Sequence, residues 1–207
     1  MTESSVADAQ RRRRRAAIAG HEGDEPTARA LLGDEDPTVR AAALGALHRM
    51  GRLTAPDLER GLADPDAGVR RRSLELVAAL QGGGPAASVA IVGLLDDDDP
   101  TVVEVAAWAA GEREPAEDGV VTRLSALAQE AEDALVREAA VAALGSLGDP
   151  AGLPAILAGT RDKATVRRRA VIALAPFDGP EVETALQAAL TDRDWQVRQS
   201  AEDLADH

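Results

Sequence analysis

One short phrase recurs along this 207-residue chain: an acidic residue, two variable residues, valine, arginine. It reads Asp36-Pro37-Thr38-Val39-Arg40 and Asp66-Ala67-Gly68-Val69-Arg70, then Asp133-Ala134-Leu135-Val136-Arg137 and Asp194-Trp195-Gln196-Val197-Arg198. Two further copies are altered at one end, Asp99-Pro100-Thr101-Val102-Val103 and Lys163-Ala164-Thr165-Val166-Arg167. Successive valines stand 30 to 34 residues apart. Self-similarity at that period marks a stacked repeat protein, in which no unit buries its apolar face alone. The phrase therefore predicts an all-α solenoid, an α-α superhelix of about six helical hairpins.

The hairpins are expected at residues 25–52, 56–82, 86–114, 119–148, 151–178 and 180–207. In each, a first helix with spaced apolar residues, such as Val182, Leu186 and Leu190, leads into an acidic turn. The aspartate there can accept hydrogen bonds from free helical N–H groups, and Pro37 and Pro100 suit the first helical position. The second helix begins at the valine: Val39, Ala43, Leu44 and Leu47 have the spacing of a buried face, as do Val136, Ala140, Val141 and Leu144. Helix ends are expected near Gly51, Gly82, Gly148 and Gly179. Residues 1–24 contain five consecutive arginines, Arg11 to Arg15. They read either as a basic arm for an anionic partner or as part of a terminal cap helix. The likeness of Arg14-Arg15-Ala16-Ala17-Ile18-Ala19 to Arg168-Arg169-Ala170-Val171-Ile172-Ala173 favours the cap.

Composition narrows the chemistry. Apolar residues make up 45% of the chain, yet there are one Phe, two Trp and no Tyr, so the core must be built of Ala, Leu and Val. Such residues favour closely packed helices over sheets. The net charge of −13 opposes phosphate backbones, and Lys163 is the single lysine. Cysteine is absent, which removes disulfides, thiol catalysis and thiolate metal sites. No apolar run reaches the ~20 residues of a membrane span, and no signal-peptide core is evident, so a cytoplasmic location is expected.

Asp-Pro-x-Val-Arg followed by spaced alanine and leucine, as in Asp36 to Leu47, resembles the second helix of a HEAT repeat. The short period is closest to HEAT-like repeats of the phycobilin-lyase type. The resemblance runs from about residue 25 to 207. It implies a ladder of aspartate and arginine between successive repeats, with Asp36, Asp66, Asp99, Asp133 and Asp194 as acidic rungs and Arg40, Arg70, Arg137, Arg167 and Arg198 as basic ones. Bidentate pairing of guanidinium with carboxylate would fix the geometry between units. Val103 and Lys163 depart from the pattern, so interruptions are expected beside repeats three and five.

The clusters Arg70-Arg71-Arg72 and Arg167-Arg168-Arg169 contain arginines beyond the ladder, which read as solvated or acid-paired side chains or as a phosphate-binding stripe. The third repeat carries Glu104, Trp108 and Glu112 four residues apart, hence on one helical face. Second helices of such a solenoid line its concave side. An aromatic between two carboxylates there reads as an anchor for a basic segment, with Arg71, Glu75, Glu138 and Arg168 flanking it. The competing reading makes Trp108 a gap-filler against a neighbouring helix. Trp195 reads as an end cap covering the core.

Support for catalysis is thin. His21, His48 and His207 are the three histidines, and no triad or zinc-protease motif is present. HEAT-repeat hydroxylases of the deoxyhypusine type hold a di-iron centre on several His-Glu pairs; this chain has only His21-Glu22, so neither metal nor cofactor is expected. DNA-alkylation glycosylases of related architecture use a basic, aromatic-rich face. Apart from Arg11 to Arg15 this chain has 18 basic residues against 36 acidic ones, and few aromatics. The expected function is a non-enzymatic scaffold that binds a protein partner on the concave face, with a basic segment of that partner as the complement of its carboxylates. A lyase-like HEAT-repeat enzyme or enzyme subunit is the alternative, and nucleic-acid binding through the arginine clusters ranks third. The sequence leaves the oligomeric state open.

Overall fold

The computed structural model describes residues 3–81 and 83–205, so the helix end expected at Gly82 and the extreme termini lie outside the described residues. Those residues form twelve α-helices, three short 3-10 helices and no strand. They fall into two units, residues 1–91 and 92–207.

In the first unit, α1 (Glu3–Glu22) packs on α3 (Pro37–Arg49), and α3 on α5 (Ala67–Ala79). The shorter α2 (Glu25–Leu31) and α4 (Ala55–Leu62) complete the hairpins. The interior is aliphatic: Leu44, Leu47, Leu58, Leu74 and Val77 are buried. The second unit repeats the scheme, with α6 (Pro100–Gly111), α8 (Ala134–Leu147), α10 (Ala164–Ala173) and α12 (Trp195–Ala205) packed in succession. Their companions are α7 (Val120–Glu130), α9 (Leu153–Gly159) and α11 (Pro180–Ala189).

Three local features differ from the sequence expectation. The first segment of the third hairpin is a 3-10 helix, Val92–Asp96, and its first amide is held by the Glu117 carboxylate at 3.1 Å. Gly82, Gly83, Gly84, Pro85 and Gly93 crowd this stretch, and each glycine costs a helix about 1 kcal/mol relative to alanine. Gly51 and Gly148 sit at helix ends with φ +65° and +62°, whereas Gly179 precedes α11 and α10 has already ended at Ala173. Trp195 is the first residue of α12 and 64% exposed, so it does not cover the core. That end is closed by Leu186, Leu190 and Leu204 packed on Val171, Ala189, Val197 and Ala201.

The ladder exists with different acids. Arg40 donates from Nε and Nη2 to Asp64 at 2.8 and 2.6 Å, Arg137 to Asp162 at 2.6 and 2.9 Å, and Arg167 to Asp192 at 2.9 and 2.8 Å. On α1 Arg12 meets Asp34 at 2.7 and 3.0 Å. Each of the three repeat arginines also turns Nη1 onto carbonyls of its own acidic turn, as Arg137 does on Ala131 and Glu132 at 2.7 and 3.0 Å. Arg70 and Arg198 make the same bond, to Asp64 and Asp192 carbonyls at 2.9 and 2.7 Å.

The residues expected as acidic rungs are helix caps instead. Asp36, Asp99, Asp133 and Asp194 each accept the amide two residues on at 2.9 Å, and Asp66 accepts that of Val69 at 3.2 Å. Their oxygens accept from the free N–H groups of the helix start. Lys163 therefore removes a cap, leaving α10 without a side-chain cap bond, but interrupts no rung. The rung is absent at the α6–α8 step, where Val103 and Ala131 occupy the arginine and aspartate positions together.

Hydrogen bonds from Arg137 and Arg167 hold the Asp162 and Asp192 carboxyls below the ordinary carboxylate range, against the opposing effect of burial. At Asp34 and Asp64 burial pushes upward, and the bonds from Arg12 and Arg40 together with turn amides overcome it. A carboxyl depressed on folding adds stability above its unfolded value near pH 4 and loses it as pH falls through the lower folded value. The expected result is a melting midpoint that is flat at neutral pH and drops below about pH 4. Circular-dichroism melts across pH test it. An acid limb of unchanged depth in Asp162→Asn/Asp192→Asn would remove the rungs as its cause.

Candidate functional site

Helices α6 and α8 lie side by side, and their step is set by a backbone contact. A Cβ added at Gly111 would stand 2.9 Å from Ala143 Cα, so only glycine permits this approach. The same glycine-on-alanine step joins α1 to α3 at Gly20 and Ala46, and α8 to α10 at Gly145 and Ala173. Along the α6–α8 seam a groove of about 560 Å³ opens. Its floor is small and apolar, with Gly111, Ala139, Ala142 and Ala143.

The structure brings Glu104, Trp108, Glu112 and Glu138 to this one groove. Trp108 is 46% exposed, so the gap-filler reading does not describe it; Leu135, on α8, is 55% exposed. The spacing of four puts Glu104 and Glu112 one turn either side of the indole, about 6 Å along the axis each way. Neither carboxylate is held by an ion pair among the described residues. Glu138 has only a long contact, 3.5 Å, with Arg169 Nη2. The groove thus offers an exposed aromatic face, an aliphatic neighbour and three carboxylates against one guanidinium.

The flanking residues are divided. Arg168 is exposed and lines an adjoining recess of about 50 Å³ with Thr165, Ile172 and Gln196, which shares Glu138 and Arg169 with the groove; Arg169 is the arginine of the groove itself. Arg71 and Glu75 belong to the first unit, where Glu75 accepts from Arg72 at 2.8 Å. Sequence reasoning missed Leu135 and Arg169. Leu135 precedes the repeat valine at a position held elsewhere by Thr38, Gly68, Thr101, Thr165 and Gln196, so a leucine there was a visible exception. A second hollow, of about 670 Å³, is lined by Leu157, Ala158, Thr184, Ala185 and Ala188 on α9 and α11, without an aromatic. His21 is engaged with the Arg49 guanidinium at 2.8 Å, and no group of three metal-binding side chains occurs among the described residues.

The family model for HEAT repeats matches residues 55–145 and 87–175, together more than half of the chain. The chain belongs to the HEAT-repeat family. A model of the PBS lyase HEAT-like repeat also matches residues 166–192 of this HEAT-repeat protein. Among solved structures it resembles an engineered protein at TM-score 0.62 and 20% identity, over 88% of this chain and 95% of that one. It also resembles a designed armadillo repeat protein in complex with the peptide (KR)4, at TM-score 0.63 and 16% identity, over 88% and 98%. At such identities the likeness speaks to the fold, an all-helical repeat solenoid. No curated protein matches the sequence. Among the described residues no helix is long and apolar enough to cross a membrane.

Proposed function

We propose that this HEAT-repeat protein is a non-enzymatic interaction scaffold, and that the α6–α8 groove takes a basic segment of a protein partner. The observation that carries the reading is the exposed Trp108 with unpaired Glu104 and Glu112 one turn to either side. A cation over an indole gains roughly 0.5–2 kcal/mol, depending on how far it is desolvated. Carboxylates placed around the ring add attraction and select against acidic segments. At the α6–α8 step, where no rung exists, the close contact of Gly111 with Ala143 sets α6 against α8, so that side chains from both helices meet the same ligand. The designed armadillo protein bound to (KR)4 lends support as a solenoid of similar fold with a peptide of this chemistry.

Calorimetric titration with a (Lys-Arg)4 peptide tests the proposal. Trp108→Ala should weaken binding by about 2 kcal/mol, roughly 30-fold, as loss of a buried aromatic anchor does. Glu104→Gln/Glu112→Gln should weaken it and flatten its dependence on salt, because screened carboxylates supply that dependence. Binding of equal strength in the Trp108→Ala protein, or none in the unmodified chain, would reject the groove as the site.

A further inference from the structure

The cap helix carries the complement of this groove. One face of α1 is spent on α3 through Ala9, Ala16, Ala19 and the Arg12 rung. The opposite face presents Val6, Gln10, Arg13, Arg14, Ala17 and Ile18, all exposed, at the i, i+4, i+7, i+8 spacing of a single stripe. Val6 is 49% and Ile18 42% exposed, and neither Arg13 nor Arg14 is paired among the described residues.

We infer that the occupant of the α6–α8 groove is the α1 face of a second copy of this chain. The inference rests on the groove reading above and names its partner. With a net charge of −13, copies repel one another everywhere except where cationic surface is exposed, and the five-arginine block is the densest such surface. The patterns match in kind and in pitch. Arg14 and Ile18 are four residues apart on α1, about 6 Å, as Glu104 and Trp108 are on α6. Run antiparallel to α6, α1 sets Ile18 on the indole and Arg14 against Glu112; run parallel, it sets Arg14 against Glu104. Val6, about 18 Å from Ile18 along the helix, extends the apolar contact beyond the charged part. Because α1 and the groove are different patches, the contact is heterologous: every open assembly keeps one free donor face and one free groove, on different copies.

The test is sedimentation of the full chain. At low salt the weight-average mass should rise with concentration beyond that of a dimer, and fall to the monomer at about 0.5 M salt, where screening acts within a few ångströms. Arg13→Glu/Arg14→Glu and Trp108→Ala should each remain monomeric, with helix content checked by circular dichroism. Mixed in equal amounts, the two variants should form a one-to-one pair and nothing larger, since one lends its groove and the other its α1. Arg13→Gln/Arg14→Gln should weaken assembly at least about tenfold without introducing repulsion. An unmodified chain that stays monomeric while (Lys-Arg)4 still binds overturns the second-copy inference and leaves the groove reading standing. Assembly that survives either variant overturns it as well, and failure of the peptide itself rejects the groove reading beneath it.

Discussion

Gly145→Ala is expected to destabilise the chain by about 1–2 kcal/mol, although alanine is the better helix former by about 1 kcal/mol. The added Cβ would lie 2.6 Å from Ala173 Cβ and 2.7 Å from its Cα. Those atoms belong to helix α10 itself, so a rotamer change cannot relieve the clash. Overpacking of this kind costs about 1–3 kcal/mol, which exceeds the gain in propensity. Gly45→Ala is the internal control. There the nearest atom is Arg72 Nη2 at 3.1 Å, the far end of a flexible side chain. That substitution should be neutral or stabilise by up to about 1 kcal/mol. Urea unfolding of the two variants reads the contrast directly, and equal midpoints would show that the glycine-on-alanine steps do not set the helix spacing.

Arg137→Ala should cost about 1–3 kcal/mol, the penalty for leaving a carboxylate and carbonyls without their donors. One guanidinium makes four bonds here, two to Asp162 across the step and two to carbonyls of its own turn. Arg137→Lys should recover little of the loss, since an ammonium cannot span both sets of acceptors. Arg169→Ala, which removes a half-exposed contact at 3.5 Å, should change stability by less than about 0.5 kcal/mol. Denaturation in which Arg137→Ala and Arg169→Ala unfold alike would mean that the rungs are solvated surface.

Much of the architecture was legible because it repeats. The valines, the alanine-leucine faces and the capping aspartates recur at one spacing, and periodicity is what distinguishes a solenoid from other helical folds. The choice of rung acid failed for a physical reason. Four of the acidic turns hold aspartates two residues apart, and only the coordinates show which one caps its own helix and which reaches back to the preceding repeat. A signal was nevertheless present: Asp34, Asp64, Asp97 and Asp192 each stand five residues before the repeat valine. Asp162 stands four before it, which hid the pattern at repeat five. The simultaneous loss of partners at Val103 and Ala131 was equally visible, and a lone arginine there would have been a poorly compensated charge.

The groove was half legible. Spacing alone placed Glu104, Trp108 and Glu112 on one face, but the opposite wall depends on how α8 lies against α6. That is why Arg169 lines the groove itself while Arg168, one residue and about 100° around the helix away, lines the recess beside it. The first helix of the third hairpin was misread because the common repeat plan was carried across a stretch whose glycines shorten it.

The direction of the rungs has a consequence for how such chains can be rearranged. Arg12, Arg40, Arg137 and Arg167 all reach toward the C-terminal neighbour, so each joint they make has a plug on one side and a socket on the other. Exchanging or duplicating modules is permitted wherever plug meets socket. The joint at Val103 and Ala131 has neither, and a module spliced in at that place would have to be aliphatic at both ends.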